Sequence, residues 1–190
     1  MPTVPETVLT QRLRLRRPRA QDAAAVFEYA SDPEVARYAD YPRTRTIAEI
    51  EDRIAARAPA WDAAEEFFWL VTLSGADRAI GGASLRVVSH EAEFGYLLAR
   101  AHWGKGLGTE IARALVALAF SVPDVRRLSA TCDAENVASA RVLEKCGLVC
   151  EALLRTATVR PNISTEPRDT LLYALTRGDW MSSRARDGRD

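Results

Sequence analysis

The spacing of apolar residues changes period along this chain. Arg12-Leu13-Arg14-Leu15-Arg16 alternates apolar and basic side chains, the two-residue period of a strand with one buried face, and Pro18 ends it. Residues 22–29, rich in alanine with Val26 and Phe27, predict a helix. Asp32-Pro33-Glu34 predicts a second helix start, with Asp32 as cap and Pro33 at the first helical position. Thr46 opens a third helix over 47–57, where Ile47, Ile50 and Ile54 recur at helical spacing. Residues 40–45 and 59–66 read as irregular.

From residue 67 the strand pattern returns. Residues 67–73 and 79–88 predict two strands around a turn at Ser74-Gly75-Ala76-Asp77, with Gly81-Gly82 marking a bulge or a close backbone approach. Ser89-His90-Glu91 turns into a third strand, 92–99. Residues 106–120 form a helix whose Ile111, Leu115 and Leu118 make one apolar stripe. A strand at 127–132 precedes a helix at 137–146, capped by Asn136 and stopped by Gly147. Residues 148–159 and 170–175 are final strands, and the polar segment 181–190 is expected to be a disordered tail. Meandering strands followed by strand–helix–strand–helix–strand predict an α/β fold: one mixed sheet with helices on both faces. No repeat or linker divides the chain, so residues 1–180 read as one domain.

Composition narrows the function. The chain has 190 residues, 47% of them hydrophobic, which suits one globular domain and excludes a disordered one. Its 26 basic and 26 acidic side chains cancel, leaving no global attraction to nucleic acid or anionic membrane. No apolar run approaches the roughly 20 residues of a membrane span. Residues 1–6 have neither the basic nor the apolar region of a signal peptide, and a cytoplasmic location is expected. Cys132, Cys146 and Cys150 are odd in number and form no C-x-x-C pair, so neither a disulfide framework nor a metal site is expected. All three read as small buried hydrophobes.

The candidate chemistry lies in Trp103-Gly104-Lys105-Gly106-Leu107-Gly108-Thr109, between a strand and an amphipathic helix. Three glycines let backbone N–H groups turn inward, and the helix start adds its unsatisfied amides and positive dipole end. Together they suit a pyrophosphate. The Gly-Lys pair lacks the following Ser or Thr that a P-loop uses for magnesium, and no acidic residue stands where a dinucleotide fold holds a ribose. ATP and NAD are therefore disfavoured.

After the next strand comes Asn136-Val137-Ala138-Ser139-Ala140-Arg141-Val142-Leu143-Glu144-Lys145-Cys146-Gly147-Leu148. The two segments in this order resemble the GNAT N-acetyltransferases. Trp103 to Glu110, the opening 10–16, Glu93-Phe94-Gly95-Tyr96 and Arg168-Asp169-Thr170-Leu171-Leu172-Tyr173 resemble its RimJ/RimL branch, which acetylates protein N-termini. The likeness spans roughly residues 10–180 and implies the acyl-CoA N-acyltransferase fold, with a central, mostly antiparallel sheet.

It also implies acetyl-CoA as co-substrate, with no metal. The loop 103–109 would hold the pyrophosphate, the amides of Lys105, Gly106, Gly108 and Thr109 binding directly. Asn136 would sit near the pantetheine and Ser139 near its sulfur. Leu143 stands where many members carry a Tyr thought to protonate the leaving thiolate, so that role is vacant or passes to Ser139. The alternative for Ser139 is a residue that only reinforces the helix cap. Glu93 is the first choice as base for the amine and Glu91, on the same strand face, the second; the alternative is that both are solvated edge carboxylates. His90 and His102 read as surface residues. A backbone N–H on strand 93–99 would hold the oxyanion, because that strand must part from its neighbour to admit the pantetheine.

Residues 32–66 and 159–168 would line the acceptor cleft, where Tyr38, Tyr41, Trp61, Phe68 and Trp69 offer aromatic surface, most of them reading as core, and Asp62, Glu65 and Glu66 offer negative charge, the alternative being a merely solvated acidic cluster. An α-amine, with a pKa of about 7.7–8.0, needs less base catalysis than a lysine at about 10.4. A protein N-terminus is the expected acceptor. A small amine (polyamine, antibiotic or amino acid) is the alternative, and a non-catalytic acyl-CoA-binding module the remoter one. A monomer or homodimer is expected, with no nucleic-acid or membrane partner.

Overall fold

The structure, a computed structural model, describes residues 3–187. In chain order it comprises β1 (Thr7–Leu9), β2 (Leu13–Arg16), α1 (Ala23–Ala30), α2 (Pro33–Ala36), α3 (Ile47–Asp62), β3 (Phe67–Leu73), β4 (Ala79–Val88) and β5 (Glu91–Leu98). These are followed by α4 (Leu107–Ser121), β6 (Arg127–Asp133), α5 (Val137–Lys145), β7 (Val149–Val159), β8 (Pro167–Thr176) and α6 (Arg177–Asp187). Short 3-10 turns at Ala20–Asp22 and Arg100–His102 precede α1 and the loop before α4. The strands form one sheet in the order β1-β2-β3-β4-β5-β6-β8-β7. Every neighbouring pair is antiparallel except β5 and β6.

Alternation along β3 shows how the sheet is covered. Phe67, Trp69 and Val71 join the apolar cluster formed with Ile111, Leu115 and Leu118 of α4 and Leu143 of α5. Phe68 and Leu70 point the other way, into a second cluster with Val26 of α1, Val35 of α2 and Ile50 of α3. Helices therefore cover both faces, as the period-two strands and period-3.6 helices require. Gly81 marks a close approach: a Cβ there would lie 2.4 Å from the Leu97 carbonyl oxygen. The bulge sits beside it, where the β3–β4 register slips between Val71 and Thr72.

One buried ion pair ties β2 to the rest. The Arg16 guanidinium, 3% exposed, donates to Asp22 at 2.6 and 2.8 Å, to an Asp77 carboxylate oxygen at 2.8 Å and to the Asp77 carbonyl at 2.9 Å. It thereby joins β2, the turn before α1 and the β3–β4 hairpin.

Three expectations are corrected. The third helix does not stop at residue 57 but runs through Pro59 to Asp62. The proline costs one backbone bond near the end of the helix. Trp61 offsets it by packing edge-on against Phe67 and Trp69 at 5.2 and 5.1 Å. The segment expected to be a tail from residue 181 is helical as far as Asp187, with Trp180 stacked on Phe120 at 5.0 Å; the remainder, 188–190, lies outside the described residues. Of the cysteines, Cys132 is buried, Cys146 half-buried and Cys150 exposed.

Candidate functional site

The parallel pair β5–β6 determines where a ligand can enter. It is joined only through Glu91↔Arg127, Ala92↔Leu128 and Glu93↔Ser129. Beyond Glu93, β5 stays paired with β4 through Leu98, while β6 continues along β8 to Asp133. The two strands part, and a cleft of about 1280 Å3 opens between them. It is lined by 93–98 of β5, 130–133 of β6, the start of α4 and the outward face of α5. This is the parting expected for strand 93–99, and it leaves main-chain groups facing the gap.

At the mouth of the cleft the glycine loop turns into α4. Gly104 and Gly106 have φ of 70° and 75°, a left-handed backbone that L side chains rarely adopt, and Gly106 is the N-cap. Among the described residues the N–H groups of 104–109 donate to no protein acceptor. They form an amide cradle at the positive end of a fifteen-residue helix. Trp103 contributes differently: its indole N–H donates to the Leu98 carbonyl at 2.7 Å and ties the loop to the end of β5. The Lys105 ammonium is likewise turned onto the loop, donating to the Ala101 carbonyl at 2.8 Å.

The opening segment 10–16 holds this loop from behind. Glu110, in the first turn of α4, accepts from the Thr10 hydroxyl at 2.6 Å, the Arg12 backbone at 2.8 Å and the Arg12 guanidinium at 2.7 Å. The same guanidinium donates to the Lys105 carbonyl at 3.0 Å. Burial pushes the Glu110 carboxyl up, but these hydrogen bonds and the Arg12 charge outweigh it and hold the pKa below its ordinary 4.5. Arg12 is half exposed, so Glu110→Gln is expected to cost about 1 kcal/mol, roughly 2–4 °C in Tm. A depressed carboxylate stabilises above its unfolded pKa, and that contribution is lost as pH falls through the folded value. Thermal scans of the two proteins should therefore differ at neutral pH and begin to converge only as pH falls below 4.5 through the lowered folded value.

Across the cleft, α5 begins at Asn136, whose side-chain oxygen accepts from the Ser139 backbone at 3.2 Å. The cap function is thus real, and both residues also line the cleft. Ser139 lines the cleft together with Tyr96 of β5 and Cys132 of β6. Tyr96 was not visible as a site residue in the sequence. It lines the cleft, so close to the start of α4 that a Cβ on Gly108 would meet its ring at 3.4 Å and Val142 at 3.7 Å. Burial pushes its phenol up to about 12, so it is a hydrogen-bond donor at neutral pH. Leu143 is 1% exposed and belongs to the core. Burial likewise raises the Cys132 and Cys146 thiols to about 11, so neither supplies a reactive thiolate.

The two candidate carboxylates separate. Glu93 lines the cleft where β5 and β6 part, opposite Arg86 on β4. Glu91 lies outside it, 3.9 Å from Arg127. Of the histidines, His90 is a surface residue 3.1 Å from the Asp124 carbonyl. His102 departs from the surface expectation: it lines the cleft, and burial together with the Lys105 charge lowers its pKa below 6.5.

The far end of the cleft is formed by α1–α3 and by the loop after β7. Asn162 fastens that loop, donating to the Ala36 and Tyr41 carbonyls at 2.8 and 2.9 Å and accepting from the Arg43 backbone at 2.8 Å. Tyr38, Tyr41 and Phe68 line the cleft, whereas Trp61 and Trp69 are core. Of the expected acidic group only Glu66 reaches it, and Glu66 is paired with Arg57. Arg37, Arg53, Arg57, Arg86 and Arg160 also line the cleft, interspersed with Glu34, Asp40 and Asp133, and sequence reading missed them because they are scattered over the chain.

Residues 12–149 match the family model of the acetyltransferase (GNAT) domain. The N-acetyltransferase p20 of Bacillus licheniformis is 30% identical over 153 residues, which cover 79% of this chain and 86% of that protein. A solved acetyltransferase (GNAT family) from Bacillus anthracis is 26% identical with a TM-score of 0.78, covering 90% of this chain and 98% of that one. RimL, a ribosomal L7/L12 alpha-N-protein acetyltransferase solved with coenzyme A, is 18% identical with a TM-score of 0.79, covering 90% and 98%; at that identity the likeness is one of fold.

Proposed function

The chain belongs to the GNAT acetyltransferase family, and we propose that its acceptor is a protein N-terminal α-amine. The enzyme transfers the acetyl group of acetyl-CoA to an amine. The observation that carries the reading of the acceptor is the mixed charge of the cleft lining, where seven basic side chains stand against five acidic ones. A polyamine, with several cationic groups, gains little from a lining with a small excess of positive charge. A polypeptide with a single terminal amine does not depend on such a gain. The shared fold of RimL, whose acceptor is a protein α-amine, is consistent with this reading.

Each residue then has a task. The amides of Lys105, Gly106, Gly108 and Thr109 bind the pyrophosphate, with Trp103, Gly104 and Leu107 shaping the loop. Asn136 faces the pantetheine, its side-chain oxygen committed to the cap. Glu93 takes the proton from the amine, directly or through water. The amine nitrogen attacks the thioester carbonyl, and a β5 amide exposed by the parting of the strands receives the oxyanion. The C–S bond then breaks, and Ser139 and Tyr96 donate hydrogen bonds to the departing sulfur. A thiol pKa near 8.5 makes this leaving group undemanding, so hydrogen bonding suffices where a family Tyr is replaced by Leu143. The free thiols of all three cysteines fit a reducing cytoplasm.

Mass spectrometry of peptides with free N-termini, lysine side chains and small amines, each incubated with acetyl-CoA, tests the acceptor. Acetylation confined to small amines would overturn the reading. For Ser139→Ala, loss of turnover with unchanged acceptor KM is expected, deepened by Tyr96→Phe in the double variant. A residue that only caps a helix would cost up to about 1 kcal/mol of stability and leave turnover alone.

A further inference from the structure

Arg160 follows β7 at the far end of the cleft. It is 6% exposed, lines the cleft, and has a buried Nε with no hydrogen-bond partner among the described residues. Its backbone is fixed: the Arg160 carbonyl accepts from the Ile163 and Ser164 amides at 2.8 and 2.9 Å, and Asn162 fastens the same turn to the segment after α2. The neighbouring carboxylate whose charge Arg160 feels, Asp133, is already held by Arg168 at 2.7 and 3.1 Å. A buried guanidinium whose Nε has no acceptor, and whose neighbouring carboxylate is engaged by another arginine, is costly to the fold, because it has lost its water and gained no hydrogen-bonded anion. Residues that weaken a fold in this way mark functional sites. The planar fork of an arginine matches a carboxylate, which it binds through two parallel N–H bonds.

We propose that Arg160 is a specificity-determining residue that receives a carboxylate carried by the amine acceptor. This rests on the reading of the acceptor as a polypeptide N-terminus, where the carboxylate belongs to an Asp or Glu close to the reacting amine. Glu93 then sits at the amine end and Arg160 at the carboxylate end of one cleft, and a neutral or basic N-terminal sequence leaves Arg160 unsatisfied.

The test compares wild type with Arg160→Met on matched peptides bearing Asp or Glu, against Asn or Gln, at the second and third positions. It includes free amino acids against their α-amides. Wild type is expected to prefer the acidic peptides by about 10- to 100-fold in kcat/KM, the range of a charge-assisted pair, and Arg160→Met to lose that preference. The variant should retain the acetyl-CoA Kd and a Tm equal to or above that of wild type, since a buried unpaired charge has been removed. If only free amino acids are acetylated, with an acid-over-amide preference lost in Arg160→Met, the carboxylate site stands and the protein-acceptor reading falls. Equal preference in the two proteins, a lowered Tm, or loss of acetyl-CoA binding would each overturn the proposal. So would the absence of any acetylated acceptor bearing a carboxylate.

Discussion

Replacing Glu93 by Gln is expected to lower kcat about 10²- to 10⁴-fold at neutral pH, the usual contribution of a general base. The substitution is isosteric and lies on an exposed strand position, so the fold should be unchanged. The loss should shrink as pH rises, because more of the acceptor is already deprotonated in solution. How fast it shrinks reports the amine: an α-amine is mostly free by about pH 9, while a lysine-like amine is still mostly charged. With N-terminal peptides, substantial rescue at pH 9 is the expected result of the pH–rate profiles. Activity equal to wild type at every pH would remove Glu93 as base. Because Glu91 lies outside the cleft, the role would then pass to a water or to His102, whose lowered pKa keeps it neutral.

The largest stability effect is expected from Asp22→Ala. It leaves the buried Arg16 guanidinium without its two shortest bonds, and such a loss costs about 3–5 kcal/mol. The Asp77 contacts at 2.8 and 2.9 Å remain, which argues for the lower end of that range. Against a total stability of about 5–15 kcal/mol this is a large fraction, and Tm should fall on the order of 10 °C. Urea titration should show a lower midpoint at unchanged slope. Replacing both partners with apolar residues, Arg16→Met with Asp22→Leu, should recover most of the loss, since no unpaired charge then remains. A single-variant loss below about 1 kcal/mol would mean that Asp77 alone compensates Arg16.

Most of the helices and strands were legible because their causes lie within a few residues. The Asn136 cap and the Gly147 stop bracket α5 as read, and Ile111, Leu115 and Leu118 are all buried under the sheet. The amide loop was legible for the same reason, since its conformation depends on Gly104 and Gly106 themselves. Errors fell where packing overrode local preference. Pro59 stays helical because Trp61 has aromatic partners to reach, and the segment from residue 181 is helical rather than frayed. Glu91 and Glu93 share a strand face in the sequence, yet only the parting of β5 from β6 puts one in the cleft and leaves the other beside Arg127.

Sequence by itself determined the sheet-and-helix pattern, the glycine loop before α4 and the family. Tertiary structure alone decided which side chains line the cleft. Glu110 meets Arg12 across 98 positions, and Tyr96 of β5, Ser139 of α5 and Arg160 after β7 line one cleft. No local period encodes such pairings. They exist because the sheet folds distant segments onto one opening, where burial and charge then set what each side chain can do.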